Sequence, residues 1–86
     1  MKTQEQYYEI YRDFKGMLMP KVNGSMNHIK QAINNIADLD KTNAITFMLF
    51  AYEYWYAYIM DIIEGNYNYI RFTGMVWSSY LEHMEK

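Results

Sequence analysis

The first quarter of the chain carries apolar side chains at helical spacing. Apolar residues recur every three or four positions on one side of this segment, and they are Tyr7, Ile10, Tyr11, Phe14, Met17 and Leu18. This period is that of an amphipathic helix. Thr3 and Gln6 have the spacing of a capping box, in which each side chain accepts a hydrogen bond from the backbone amide of the other residue. The pattern predicts a first helix over about 4–19.

A second amphipathic segment follows a turn signal. Pro20 cannot continue a helix without the loss of a backbone hydrogen bond, and Asn23 with Gly24 is typical of a turn. Ser25 is then a suitable N-cap for a second helix over about 25–38. The apolar stripe of this helix is formed by Met26, Ile29, Ile33 and Ile36.

The start of the second helix has an alternative. Val22 extends the same apolar stripe backwards along the chain. Pro20 can therefore be the first-turn proline of a longer helix, in which Gly24 costs about 1 kcal/mol of helix stability.

The segment from Ala44 to Ile63 is apolar nearly all round. Seventeen of its twenty residues are apolar, and the exceptions are Thr46, Glu53 and Asp61. Asp40 and Thr42 are good N-caps before it, and Gly65 is a C-cap signal after it. We predict a third helix over about 42–64, which is about 34 Å long at about 1.5 Å per residue and central in the fold.

The length and hydropathy of this segment raise the question of a membrane span, which needs about 20 apolar residues. Glu53 lies near its middle, where an acidic residue costs about 3 kcal/mol and offsets the insertion energy of about 2 to 4 kcal/mol from the Ile, Leu and Phe residues. Tyr54 and Tyr56 also lie near the middle, although aromatic residues of this kind are enriched at the membrane interface. We therefore expect a buried central helix and no membrane partner.

The last segment has one broad apolar face. The residues of this face are Tyr69, Ile70, Phe72, Val76, Trp77, Tyr80, Leu81 and Met84. Residues 67–72 have the composition of a strand, but the chain offers no second strand to pair with them. Gly74 lies toward the apolar face, where we expect it to permit a close helix crossing.

We predict a single all-α domain over residues 1–86, a bundle of four helices over about 4–19, 25–38, 42–64 and 68–85.

Composition and charge restrict the partners. The 86 residues include no cysteine, which excludes a disulfide framework, a thiolate metal site and a cysteine nucleophile. The formal net charge is −2, and the acidic excess lies in residues 44–86, with two Lys and Arg against five Asp and Glu. Because no Lys or Arg occurs from Thr42 to Ile70, a basic protein surface is a better binding partner for this part of the chain than a nucleic acid.

The polar N-terminus carries no apolar signal segment, so we expect a cytoplasmic location.

The residues that carry chemistry form no catalytic pattern. His28 and His83 are expected at the surface or half-buried, and neither follows a glutamate at the Glu-x-x-His spacing of carboxylate-bridged di-iron bundles. Glu53 and Asp61 would be about 12 Å apart along one helix, too far for glycosidase-type cooperation within one chain. We therefore expect a non-enzymatic protein with no metal and no cofactor.

One face of the predicted third helix mixes acidic and apolar side chains. At about 100° per residue, Phe50, Met60, Asp61 and Glu64 fall in the same arc as Glu53. Met and aromatic residues are enriched in protein interfaces, so we predict that this face binds a partner. The alternative is ordinary packing, in which Phe50 and Met60 touch a neighbouring helix and Glu53 forms an ion pair. The candidate ion-pair partners are Lys15, Lys30 and Arg71.

These features favour a stand-alone interaction protein. Our hypothesis is a phage or mobile-element inhibitor that docks its acidic and aromatic face on a basic, nucleic-acid-binding host or defence protein. The first alternative is a small-ligand-binding oligomer of the sponge type, whose tyrosine-rich surfaces stack on a planar ligand. The second is a structural or immunity-like helical bundle. Because so short a chain has few helices to cover an apolar third helix, we also expect a homo-oligomer.

Overall fold

The regular structure of this protein is entirely helical. A computed structural model describes all residues from Met1 to Lys86, and its elements in chain order are α1 (Gln4–Leu18), a 3-10 helix (Met19–Gly24), α2 (Asn27–Ala37), α3 (Lys41–Tyr54), α4 (Tyr56–Ile63), a second 3-10 helix (Tyr67–Phe72) and α5 (Thr73–Met84). The predicted all-α class is confirmed. There are five α-helices rather than four because the third predicted segment is divided.

α1 begins with the predicted capping box. The Gln6 backbone N–H donates to Thr3 Oγ1 at 3.2 Å, and the Thr3 N–H donates to Gln6 Oε1 at 2.8 Å. After Leu18 the chain passes directly into the first 3-10 helix, and Pro20 lies in the first turn of that helix, where a missing N–H leaves no bond unmade. Pro20 therefore neither begins the second helix nor lies in an irregular loop.

The start of α2 corrects the predicted N-cap. Met26 occupies the cap position and makes no side-chain cap hydrogen bond. The Ser25 hydroxyl donates instead to the Lys21 carbonyl at 2.7 Å, so it closes the end of the 3-10 helix. Three of the four predicted stripe residues, Ile29, Ile33 and Ile36, are buried, but Met26 at the cap position is 66% exposed.

The third predicted helix is divided at Trp55. The backbone of this residue has φ −135° and ψ 34°, which lies outside the helical region, and it separates α3 from α4. The interruption is local, because the Trp55 N–H still donates to the Ala51 carbonyl at 2.7 Å and the Trp55 carbonyl still accepts from the Ile59 N–H at 3.1 Å. Aromatic side chains lose rotamer freedom in a helix and therefore have a lower helix propensity than alanine. The run of aromatic residues from Tyr52 to Tyr58 thus favours an unbroken helix less strongly than an alanine-rich segment does.

The outer ends of the divided segment agree with the sequence. Asp40 is the N-cap of α3, and its carboxylate accepts from the Asn43 N–H at 2.8 Å. Gly65 follows α4 with φ +84°, the left-handed conformation that ends many helices and that glycine adopts without strain. No helix combines the length and the hydropathy that crossing a bilayer requires.

The core is built largely from aromatic rings and isoleucines. Phe14 meets the ring of Tyr58 edge-on at 5.7 Å, and Phe47 meets Tyr80 edge-on at 5.2 Å. Two buried tyrosine hydroxyls have partners: Tyr11 donates to the Ile36 carbonyl at 2.6 Å, and Tyr58 pairs with Thr73 Oγ1 at 2.6 Å. Burial raises the pKa of Tyr11 to about 12 and raises the pKa of Tyr58 further.

The helices pack as two connected groups. α1 lies against α3 and α4, while α2 lies mainly against α5, which also contacts α3. α3 contributes six buried residues, more than any other helix, so the third segment is central to the core as predicted. α3 has no extensive contact with α2, whereas α1 contacts α2, α3 and α4.

The last segment is helical throughout. Residues Tyr67–Phe72, whose composition resembles that of a strand, form the second 3-10 helix, and the Asn66 side chain accepts from the Asn68 N–H at its start. Gly74 lies at the contact of α5 with α2, as expected. A Cβ atom there would lie 3.4 Å from His28 Cδ2, which is ordinary contact, so the crossing is close but does not demand glycine.

Candidate interaction surface

The five predicted partner-binding residues lie in different environments. Glu53 and Glu64 are exposed, Met60 and Asp61 are half-buried, and Phe50 is only 7% exposed. The structure therefore corrects the placing of Phe50, which belongs to the core.

Phe50 is enclosed by aromatic side chains of its own chain. Its ring centroid lies 5.2 Å from that of Tyr54, 5.7 Å from that of Tyr80 and 5.0 Å from that of His83. α5 covers it, because Tyr80 and His83 lie on the face of α5 that meets α3. The packing alternative considered for this residue is thus correct.

Tyr52 and Tyr56 provide the aromatic groups beside Glu53. The two rings meet edge-on at 5.2 Å, and the Tyr52 hydroxyl lies 3.8 Å from the Met60 sulfur. Tyr52, Glu53 and Leu49 also line one surface depression. Tyr52 thus contacts Tyr56 and Met60, four and eight positions further along the chain, across the break at Trp55. We call the surface formed by Leu49, Tyr52, Glu53, Tyr56 and Met60 the acidic–aromatic face.

The predicted carboxylates are not neutralised within the chain. The only ion pair in the structure joins Lys41 to Glu5 at 2.6 Å. The proposed internal pairs of Glu53 with Lys15, Lys30 or Arg71 are therefore wrong. Asp61 has one weak side-chain contact, from Asn66 Nδ2 at 3.4 Å, and its backbone carbonyl accepts from the Asn66 N–H at 2.7 Å.

Tyr52 is the fixed part of the acidic–aromatic face. Tyr7 of α1 meets its ring edge-on at 5.7 Å, and the Lys2 ammonium lies 5.9 Å from the ring centroid. Burial, followed by the neighbouring Tyr56 and Tyr7 hydroxyls, raises the pKa of Tyr52. By contrast Leu49 and Tyr56 are 47% and 53% exposed, so they offer apolar area next to the Glu53 carboxylate.

The break at Trp55 also opens a groove lined only by apolar and aromatic side chains. Its volume is about 220 Å³, and its residues are Tyr54, Trp55, Tyr56, Ala57, Tyr58, Tyr69 and Phe72. We call it the aromatic groove. The Tyr58 hydroxyl is bound to Thr73, whereas the hydroxyls of Tyr54, Tyr56 and Tyr69 make no hydrogen bond within the chain.

Sequence reasoning missed three residues of the acidic–aromatic face. Leu49 lies four positions before Glu53 and Tyr56 three positions after it, and Tyr52 directly precedes it. Residues at spacings of three and four share one side of a helix, so a wider arc of the helical wheel around Glu53 would have included Leu49 and Tyr56. Tyr52 falls away from Glu53 on a helical wheel, so the wheel alone does not place it in this face. The side chains of the chain form no group of three His, Asp or Glu suited to a metal ion.

Comparison of this chain with protein-family models, with curated proteins and with solved structures finds no match.

Proposed function

We propose that this protein is a non-enzymatic interaction module whose acidic–aromatic face binds a basic surface of another protein. In the finer form of the proposal, it is a phage or mobile-element inhibitor that docks on a nucleic-acid-binding host or defence protein. Glu53 of this face, together with Asp61 of α4 and Glu64 at the C-cap of that helix, provides the charge that guides the encounter, while Leu49 and Tyr56 provide the area that becomes desolvated.

The observation that carries this proposal is an unpaired carboxylate beside exposed apolar side chains. Glu53 makes no ion pair and shares a surface depression with Leu49 and Tyr52, and Tyr56 packs on Tyr52; Leu49 and Tyr56 are each about half exposed. Tyrosine is among the residues that dominate the energies of protein interfaces, and a carboxylate next to it selects for a cationic partner. Phe50, in this form of the proposal, supports the face from below and does not touch the partner.

The test is capture from a lysate of cells in which the protein occurs, followed by binding kinetics with the purified captured protein. Glu53→Lys with Asp61→Lys should slow association and flatten its dependence on salt. Tyr56→Ala should speed dissociation, by about fivefold or more if it costs more than about 1 kcal/mol. The matched control is Glu9→Lys with Asp13→Lys, which makes the same change in net charge on the exposed side of α1.

Two results count against this proposal. If the control slows association as much as the Glu53 and Asp61 variant does, only net charge matters and the face has no special role. If the face variant retains the kinetics of the unchanged protein, the partner binds elsewhere.

The aromatic groove favours a second candidate function, the binding of a small planar ligand. Its rings are of the type on which flat heteroaromatic molecules stack. A ligand of this class should raise the melting temperature, and Tyr69→Ala should remove that effect. Tyr67→Ala is the matched control, because Tyr67 lies outside the groove in the same 3-10 helix. Equal loss in both variants would contradict binding in the groove.

We also propose that the protein is a homo-oligomer. Leu49, Tyr54, Tyr56, Tyr69 and Met75 are all more than a third exposed, which is a large apolar area for a chain of this size. Light scattering at micromolar concentration should give a mass above the 10.4 kDa of one chain. A mass of one chain at that concentration would contradict the proposal.

A further inference from the structure

A cleft of about 530 Å³ lies between α2 and α5, and it shares no residue with the acidic–aromatic face or the aromatic groove. Its volume is within the range of about 300 to 1,000 Å³ that is common for small-molecule sites. From α2 it is lined by His28, Gln31 and Asn35, and across from them by Arg71, Gly74 and Ser78. Spacings of three, four and seven residues place His28, Gln31 and Asn35 on one side of α2. Arg71 lies at the end of the second 3-10 helix, directly before α5, and Gly74 and Ser78 are one turn apart on α5.

The polar side chains of this cleft have no partners within the chain. His28, Gln31, Asn35, Arg71 and Ser78 make no side-chain hydrogen bond, and Arg71 makes no ion pair. No Asp or Glu lines the cleft, although the chain has ten acidic residues and a net charge of −2. The lining of this cleft therefore suits an anion, because it combines a guanidinium with unpaired polar groups and contains no carboxylate.

Arg71 is the cationic group of the cleft, and His28 lies at the same end. The Arg71 guanidinium carbon lies 5.0 Å from the centroid of the Phe72 ring, and a guanidinium stacked on a ring keeps its N–H donors free in its own plane. Such a group binds phosphate with two parallel hydrogen bonds. His28 reaches the same end, because its Cδ2 lies against Gly74, one helical turn from Arg71.

The rest of the cleft offers a ring and two amides. Trp77 is half-buried and is fixed by Phe47 and Tyr80, whose ring centroids lie 6.2 Å and 5.5 Å from its own. Gln31 and Asn35 each carry donors and an acceptor, which is the combination that pairs with the edge of a nucleobase. An aromatic side chain beside them adds stacking, which every base can accept.

We infer that the α2–α5 cleft binds a nucleoside phosphate, with Arg71 and His28 on the phosphate, Gln31 and Asn35 on the edge of the base, and Trp77 against the base. The charge at one end and the neutral polar and aromatic groups at the other match the two chemically different parts of such a ligand.

The test uses the full chain with AMP, adenosine and inorganic phosphate as separate probes, measured by calorimetry and by nuclear magnetic resonance of the Trp77 indole. AMP should bind saturably and shift the Trp77 signal, and each of the other two should bind more weakly. Arg71→Gln should weaken AMP binding by about tenfold or more, because it removes a charge-assisted contact, and should leave adenosine binding unchanged. Arg12→Gln, an exposed arginine of α1 outside the cleft, should leave both unchanged.

A second variant separates the base from the phosphate. Gln31→Ala with Asn35→Ala should weaken adenosine and AMP but not inorganic phosphate, and both residues are exposed, so circular dichroism should show an intact fold. The inference is overturned if millimolar AMP gives no saturable binding, if Arg71→Gln binds AMP as the unchanged protein does, or if inorganic phosphate binds as tightly as AMP. Tighter binding of a single-stranded oligonucleotide than of AMP also overturns it, because the ligand is then a nucleic acid.

Discussion

The aromatic residues of the core and those of the aromatic groove are the same residue types in two environments. Inside the bundle, Phe47 and Tyr80 contact each other edge-on and are at most 4% exposed. At the junction of α3 and α4, Tyr54 and Tyr56 follow one another within three positions and are more than half exposed. One run of aromatic residues thus contributes both to the core, through Tyr58, and to the surface.

The hydroxyl groups explain how both environments are tolerated. Buried Tyr11 and Tyr58 have hydrogen-bond partners within the chain, so neither leaves an unsatisfied polar atom in the core. The hydroxyls of Tyr54 and Tyr56 have none and are free for water or a partner. The tyrosines of this chain therefore stabilise the core where they are buried and leave apolar contact area and free hydroxyls where they are exposed.

Replacement of Phe50 by alanine should produce the largest effect. Because this ring is enclosed by Tyr54, Tyr80 and His83, Phe50→Ala should lower the free energy of unfolding by about 3 kcal/mol or more, measured by urea denaturation. Tyr56→Ala is the matched control, because Tyr56 is 53% exposed and does not contact Phe50, and it should cost about 1 kcal/mol or less. Equal losses in the two variants would remove the distinction between core and surface rings.

Loss of the Tyr58 hydroxyl should have the next largest effect. Tyr58→Phe leaves the buried Thr73 hydroxyl without its partner, which should lower the free energy of unfolding by about 1 to 3 kcal/mol at neutral pH. Thr73→Val in the same chain should recover part of that loss, because it removes the unpaired group as well. Tyr56→Phe should be nearly neutral, and a loss equal to that of Tyr58→Phe would show that exposure is not the relevant difference.

Alkaline pH should destabilise the protein through its buried tyrosines. In the folded chain the pKa of Tyr11 is about 12 and that of Tyr58 is higher still, whereas a tyrosine in an unfolded chain ionises near pH 10. The unfolded state therefore releases protons first, and the free energy of unfolding should fall as the pH rises from about 10 through about 12. Denaturation measured across this range should show a shallower fall in the Tyr11→Phe variant, and an unchanged slope would contradict the buried ionisation.

The features predicted correctly from sequence are those that depend on near neighbours. The capping box of Thr3 and Gln6, the Asp40 N-cap and the Gly65 C-cap each involve residues within a few positions, so the local sequence contains the whole interaction. The direction in which Phe50 points depends on Tyr80 and His83 of another helix. A segment that is apolar nearly all round has no polar stripe to indicate which side faces inward, so neither this direction nor the break at Trp55 follows from periodicity.

Of all these substitutions, reversal of charge at Glu53 and Asp61 should have the smallest effect on stability. Glu53 is exposed and unpaired, and Asp61 has only a weak contact with Asn66, so Glu53→Lys with Asp61→Lys should change the free energy of unfolding by about 0.5 kcal/mol or less per site. Chemical denaturation, with the Glu9→Lys and Asp13→Lys variant as control, measures this directly. A near-neutral result means that these carboxylates contribute little to folding, so that a loss of partner binding in the same variant reports on the surface itself. Marked unfolding of the variant, but not of the control, would instead place the two carboxylates among the groups that stabilise the bundle, and the face would then be structural.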